Sequence, residues 1–188
     1  FDKRAVQWVY RADKRSPEQI DKAGGFWAKG YTSKSKARPD LSLFNHVGGS
    51  SDSFMSKDSD GYVSTSTSRT VTEGWIDQYL GYSGYVYKIA AYHNLIDCQG
   101  TLLEYNKHPQ EKEYAAIRGI EWEQVYSYSH FTAYQDKKGK YSKQGSDHLN
   151  KYFDRKRYTG RSTGGIRYDL AGFPRKHRAW TLKPWKAY

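Results

Sequence analysis

Two glutamates, Glu111 and Glu113, stand one residue apart in the stretch HPQEKEYAAIRGIEWEQV. On an extended backbone, alternate side chains share a face. The pair would then lie about 7 Å apart, with Lys112 turned away. Two like charges at that range raise the proton affinity of at least one of them. Such a pair suits cleavage at a sugar carbon. One carboxylate steadies an oxocarbenium-like centre while the other handles a proton. A solvated surface turn explains the same three residues, so the spacing alone does not decide between them.

Other residues have the chemistry to join the pair. Arg11 follows an apolar, β-favouring run and sits two residues before Asp13. A guanidinium at a strand end holds a phosphate or pins a loop. In STSTS, Ser64, Ser66 and Ser68 share one strand face, and Thr65 and Thr67 the other. Hydroxyls on an inner strand can hold a carboxylate in place, although an ordinary edge strand is the commoner setting. His46 lies near the end of a short helical stretch, where a capping or core role is the plainer reading. The remaining histidines show no metal-ligand spacing, so no metal is expected. There is no Walker A motif and no GxGxxG, and HVGGSS is too weak to claim as a phosphate cradle.

The elements that must position these groups follow from local signals. WVYRADKR opens with a strand that ends near Arg11. In SPEQIDKAGG, Ser16 caps, Pro17 takes the first helical position, Gln19 completes a capping box and Gly24 stops the helix, which predicts 17–23. In DLSLFNHVGG, Asp40 reads as a cap, with Leu41, Phe44 and Val47 at helical spacing. Residues 48–60 are rich in Ser, Asp and Gly and read as a long loop. GYVSTSTS is a strand. TVTEGWIDQYLG is a helix with Val71, Trp75, Ile76, Tyr79 and Leu80 on one side. GYVYKIAAY is apolar on both faces, hence a central strand, and EQVYSYSHFTAY is another strand. Residues 136–167 have little period. The aromatic end YDLAGFPRKHRAWTLKPWKAY is expected to pack back on the domain.

Composition bounds the class. Eighteen Tyr and six Trp in 188 residues argue for a folded chain with a sizeable core. No apolar run is long enough for a membrane-spanning helix. No Met opens the chain, so Phe1 reads as the start of a processed or trimmed form. Cys98 is the only cysteine and reads as a small buried apolar residue. Residues 1–135 balance 16 Lys and Arg against 16 Asp and Glu, so the whole excess of +11 lies in 136–188. That division suggests a neutral working core, 1–135, and a basic C-terminal extension, 136–188.

Taken in order, VYRADKRSPEQIDKAGGF, LFNHVGG, DGYVSTSTS, GYVYKIAA, HPQEKEYAAIRGIEWEQV and YDLAGFPRKHRAWTLKPW resemble one family. It is the catalytic chain of the cholera and heat-labile enterotoxins, mono-ADP-ribosyltransferase toxins. The resemblance implies an α+β fold in which two small, mainly antiparallel sheets form an NAD cleft flanked by short helices. It implies that Arg11 braces the NAD site and meets its phosphates, with Asp13 as the acid that follows it. Ser64 would hydrogen-bond Glu113 and set its rotamer, with Thr65 and Ser66 supporting the strand. Glu113 would bind the nicotinamide ribose and stabilise the cationic sugar, and Glu111 would orient and deprotonate the acceptor. His46 would support the NAD pocket. The loop 48–60 matches a segment that must move before NAD enters.

A Glu at 111, where related enzymes carry Gln, resembles the arginine-modifying branch. The implied substrates are NAD and an arginine of a host protein, such as a G-protein α subunit. The resemblance further implies NAD glycohydrolase activity, secretion, and action in host cytosol. The family's toxins join this fragment to a second one by a disulfide. Cys98 lies mid-chain and no cysteine lies near the C-terminus, so receptor-binding subunits are left open. Two rival readings remain. The basic stretch 136–167 could present DNA whose guanine is modified, with binding that falls steeply with salt. Alternatively, the chain is a non-enzymatic basic binding module.

Overall fold

A computed structural model describes residues 5–32, 36–48, 57–81, 83–132 and 142–188. The chain runs β1 (Trp8–Asp13), α1 (Pro17–Ala23), β2 (Gly25–Trp27), α2 (Leu43–His46), β3 (Tyr62–Ser66), α3 (Arg69–Tyr79) and β4 (Ser83–Ala90). It continues through β5 (Leu95–Asp97), α4 (Cys98–Leu102), β6 (Glu113–Ile117), β7 (Gly119–Glu121), β8 (Val125–Thr132), β9 (Ser142–Leu149) and α5 (Arg155–Tyr158). The fold is α+β with two antiparallel sheets of unequal size. Seven strands are ordered β5-β6-β3-β1-β4-β8-β9, and β2 pairs with β7. Among the described residues no helix is long and apolar enough to cross a membrane.

Local chemistry explains the first helix. The Ser16 side chain accepts from the Gln19 backbone, the Gln19 side chain accepts from the Ser16 N–H, and Gly24 closes α1 at φ 79°. The second helix departs from expectation. It spans only four residues, and its cap is Ser42, whose hydroxyl accepts from the Asn45 N–H. Asp40 instead accepts from the backbone of Ser42 and the amide of Asn45, fixing the approach to the helix. Helix α3 buries Thr72 and Ile76, but Tyr79 is exposed, not part of the buried side.

Neighbouring residues of three strands divide between two apolar clusters. Val63, Leu95 and Ala116 pack with Val9, Phe26, Tyr87 and Trp122. Tyr62, Ile96 and Ala115 pack with Leu43, Phe44, Phe173 and Trp185. Because strand side chains alternate faces, the β5-β6-β3 end of the large sheet is covered on both sides. The C-terminal residues supply much of the second cover. Trp185 is 1% exposed, and its indole N–H donates to the Thr101 carbonyl at 2.8 Å.

The same segment holds α2 in place. The Phe44 N–H donates to the Ala171 carbonyl at 2.9 Å, and the Ser42 hydroxyl donates to the Gly172 carbonyl at 2.7 Å. A Cβ on Gly172 would fall 2.5 Å from the Ser42 Cα, and its φ is +64°, so only glycine permits this approach. The stretch 136–167, in which the sequence shows little period, contains β9, paired with β8, and α5.

Candidate active site

The site is assembled on three adjacent strands. β3 lies between β6 and β1, and its register sets Ser66 opposite both Glu113 and Tyr10. Glu113 is the first residue of β6 and is 6% exposed. Burying a carboxylate is costly unless it is partnered. The partner is His46, whose Nε2 lies 2.7 Å from the Glu113 Oε1. The other ring nitrogen, Nδ1, lies 2.8 and 3.0 Å from the two oxygens of Asp60. The His46 side chain is 3% exposed. Burial by itself would hold the imidazole below its ordinary value; Glu113 and Asp60 outweigh this and raise its pKa to about 10. A carboxylate thus stands at each end of the ring, and both favour its cationic form.

Asp60 carries no motif that would have announced it. It closes the Ser- and Asp-rich stretch, fourteen positions from His46, and the only cue was an Asp-Gly step before the strand. It is nevertheless firmly placed. Its Oδ1 accepts from the Tyr62 N–H at 3.0 Å, its own N–H donates to the Lys57 carbonyl, and its carbonyl accepts from Gly30. Residues 49–56 of the expected loop 48–60 lie outside the described residues.

The other sequence candidates sort by what their side chains touch. Ser64 reaches the carboxylate through the imidazole: its hydroxyl lies 3.1 Å from the His46 Nε2. The hydrogen bond expected between Ser64 and Glu113 is thus replaced by one to the ring. Arg11, on β1, donates from one terminal nitrogen to the Ser64 carbonyl at 2.9 Å and from the other to Asp13 at 3.3 Å. It braces β3 against β1 while its side chain keeps 23% exposure. Burial holds its pKa below the ordinary value against the pull of Asp13. The Asp13 carboxylate is occupied by Arg15, at 3.0 and 2.8 Å, as well as by Arg11. Burial raises the Asp13 carboxyl, but the two guanidiniums more than offset this and hold it below its usual range. Asp13 therefore orients Arg11.

Thr65 and Ser66 are fully buried and face backbone, not cleft. The Thr65 hydroxyl donates to the Tyr114 carbonyl and the Ser66 hydroxyl to the Glu111 carbonyl, each at 2.6 Å. Both hydroxyls, named with the NAD-binding residues on the strength of the resemblance, are spent on tying β3 to the neighbouring chain.

Glu111 corrects the extended-chain expectation. It ends a short 3-10 turn, Pro109–Glu111, and Lys112 follows in the left-handed region at φ 49°. The pair are neighbours because the chain turns before β6 begins, and Ser66 anchors that turn. Burial first, and then the charge of Glu113, raise the Glu111 carboxyl above its usual range, with His108 and His46 opposing. A half-buried carboxylate of raised basicity beside a buried carboxylate–imidazolium pair can take a proton and steady a cation in one place. A separate cavity of about 390 Å³, lined by Trp27, His93, Arg118 and Glu121, lies beyond Ile117 at the opposite end of β6.

The family model for the heat-labile enterotoxin alpha chain matches residues 1–188. The chain belongs to that family. A cholera enterotoxin subunit of Vibrio cholerae serotype O1 is 31% identical over 185 residues, a span of 94% of this chain and 68% of that protein. The NAD(+)–arginine ADP-ribosyltransferase Chelt, also of Vibrio cholerae, is 34% identical over 184 residues, and the match spans only 29% of its length. A solved mutant of Escherichia coli heat-labile enterotoxin superposes with a TM-score of 0.77 at 28% identity, covering 95% of this enterotoxin-like chain and 96% of the other.

Proposed function

We propose that this chain transfers ADP-ribose from NAD to an arginine of a host protein and releases nicotinamide. The observation that carries the reading is the buried array Asp60–His46–Glu113 with Glu111 beside it. When the bond between the ribose C1′ and the pyridinium nitrogen breaks, its electron pair leaves with nicotinamide, and positive charge develops on the sugar. The Glu113 carboxylate, oriented by His46, stabilises that charge. Glu111 docks the acceptor guanidinium and takes one proton as its nitrogen bonds to C1′. Water in place of the guanidinium gives NAD hydrolysis.

Arg11 and Asp13 support the strand on which this happens, and the exposed part of Arg11 suits a phosphate of NAD. The name of Chelt supports arginine as acceptor, and a second carboxylate at 111 favours a guanidinium over a guanine base. A G-protein α subunit is the first acceptor to try. A toxin of this kind is secreted and meets NAD and its acceptor in host cytosol. The test is incubation with NAD and agmatine, a small guanidine, with nicotinamide release followed by chromatography and the adduct by mass spectrometry. A mono-ADP-ribosylated agmatine is expected. Absence of any NAD turnover would overturn the reading, and full turnover without adduct would reduce it to hydrolysis.

A further inference from the structure

We propose that Asp60 is a positioning residue that holds His46 as a doubly protonated imidazolium aimed at Glu113. The proton count follows from geometry. An ionised carboxylate only accepts hydrogen bonds. Both Asp60 oxygens lie on Nδ1, so Nδ1 carries a proton. Nε2 faces a second carboxylate oxygen at 2.7 Å, and two bare acceptors do not approach so closely, so a proton lies between them, and the Asp60 carboxylate at the other end of the ring draws it onto Nε2. With a proton on each nitrogen, the Ser64 hydroxyl at 3.1 Å from Nε2 stands as an acceptor.

Among the described residues, the groups that face or act on the ring are few. They are Asp60 from the segment before β3, Glu113 from β6, Glu111 from its turn, and the Ser64 hydroxyl and Tyr62 ring from β3. Asp60 is 7% exposed; its backbone is held by Lys57 and Gly30, and its carboxylate accepts from the Tyr62 N–H as well as facing the ring. The consequence is a net charge of about −1 across the three groups while the ring is protonated. Without the Asp60 charge, His46 and Glu113 cancel, and a cationic sugar gains much less from the site. Asp60 itself touches neither the sugar nor the acceptor.

The inference rests on the reaction proposed above, but its first test needs no turnover. In ¹⁵N-labelled protein, His46 is assigned by the signals that His46→Gln removes. Both ring nitrogens should carry protons at about pH 8, well above the range of an unperturbed histidine. A neutral ring in the wild type at that pH overturns the proposal. The second test is Asp60→Asn, with Asp60→Glu as the conservative rescue. The Asn variant should titrate His46 more than about one pH unit lower. In this variant, any change in nicotinamide release that follows the His46 titration should move by the same amount. Its kcat should fall at least about tenfold with KM for NAD little changed, and Asp60→Glu should recover part of the loss. An unmoved His46 titration with activity lowered equally at every pH would make Asp60 merely structural and refute the proposal. If Asp60→Asn does not fold, the wild-type spectrum decides. A protonated ring in a chain that never releases nicotinamide would refute the reaction and leave the charge state of His46 standing.

Discussion

Replacing Glu113 by Gln removes one charge and almost no volume. The new amide still offers a carbonyl oxygen to the His46 Nε2, which in the native site lies 2.7 Å from the carboxylate, and Asp60 still holds Nδ1. The fold should therefore survive. Breaking a buried charge pair outright costs about 3–5 kcal/mol, and the retained partners cut this to about 1–3 kcal/mol. For a chain of this length that lowers the Tm by roughly 3–10 °C. Catalysis should suffer more. The lost charge is the one that meets the developing cation, and removal of a comparable preorganised group costs about 2.7–4 kcal/mol. That is roughly a hundred- to a thousandfold in kcat. Nicotinamide release is read by chromatography with water and with agmatine as acceptors, and folding by thermal melt. Both reactions should fall together, because both need the sugar cation. Turnover within about threefold of wild type, in a variant that melts where expected, would refute the assignment of Glu113.

Glu111→Gln should separate the two reactions, leaving NAD hydrolysis within about tenfold and lowering transfer to agmatine at least about a hundredfold; equal loss of both would contradict separate roles. Burial and Glu113 raise the Glu111 pKa, so its base form is lost at higher pH than for an ordinary carboxylate. The ratio of transfer to hydrolysis should thus fall as the pH drops from about 7 to about 5, and this trend should vanish in Glu111→Gln. His46 titrates near 10 in the fold against 6.5 free. A raised pKa stabilises fully below the free value, and that contribution, at most about 5 kcal/mol, is lost as pH rises through 10. The Tm should fall more steeply between about pH 7 and 10 in wild type than in His46→Gln, and parallel curves would count against the imidazolium. Trp185→Ala should cost about 3–5 kcal/mol, or roughly 6–20 °C in Tm. A loss below about 1 kcal/mol would show that the C-terminal segment is not part of the core.

Sequence reasoning succeeded where signals are local. The α1 helix is written in Ser16, Pro17, Gln19 and Gly24, whose interactions all fall within nine residues. The β4 strand is written in a run apolar on both faces, interrupted by Lys88, and it lies between β1 and β8. It failed where a partner is distant or where two local devices compete. Ser42 outcompeted Asp40 as the cap of α2, because Gly172, 130 residues away, fixes the Ser42 hydroxyl in place. Strand β9 carries no apolar alternation because it is an edge strand with an exposed surface, so nothing in its composition marks it.

The chemistry of this chain was set down by residue type and order: two acids flanking Lys112, an arginine, a hydroxyl-rich strand and a histidine, enough to name a family. Tertiary structure alone decided their working relations. It ran the Ser64 hydrogen bond to His46, turned Thr65 and Ser66 onto the backbone, bent the chain between Glu111 and Glu113, and added Asp60. The physical reason is one of range. Alternation and capping act across a few residues and can be read along a chain, whereas a buried charge is balanced by whatever the fold brings within about 3 Å, from any distance in sequence.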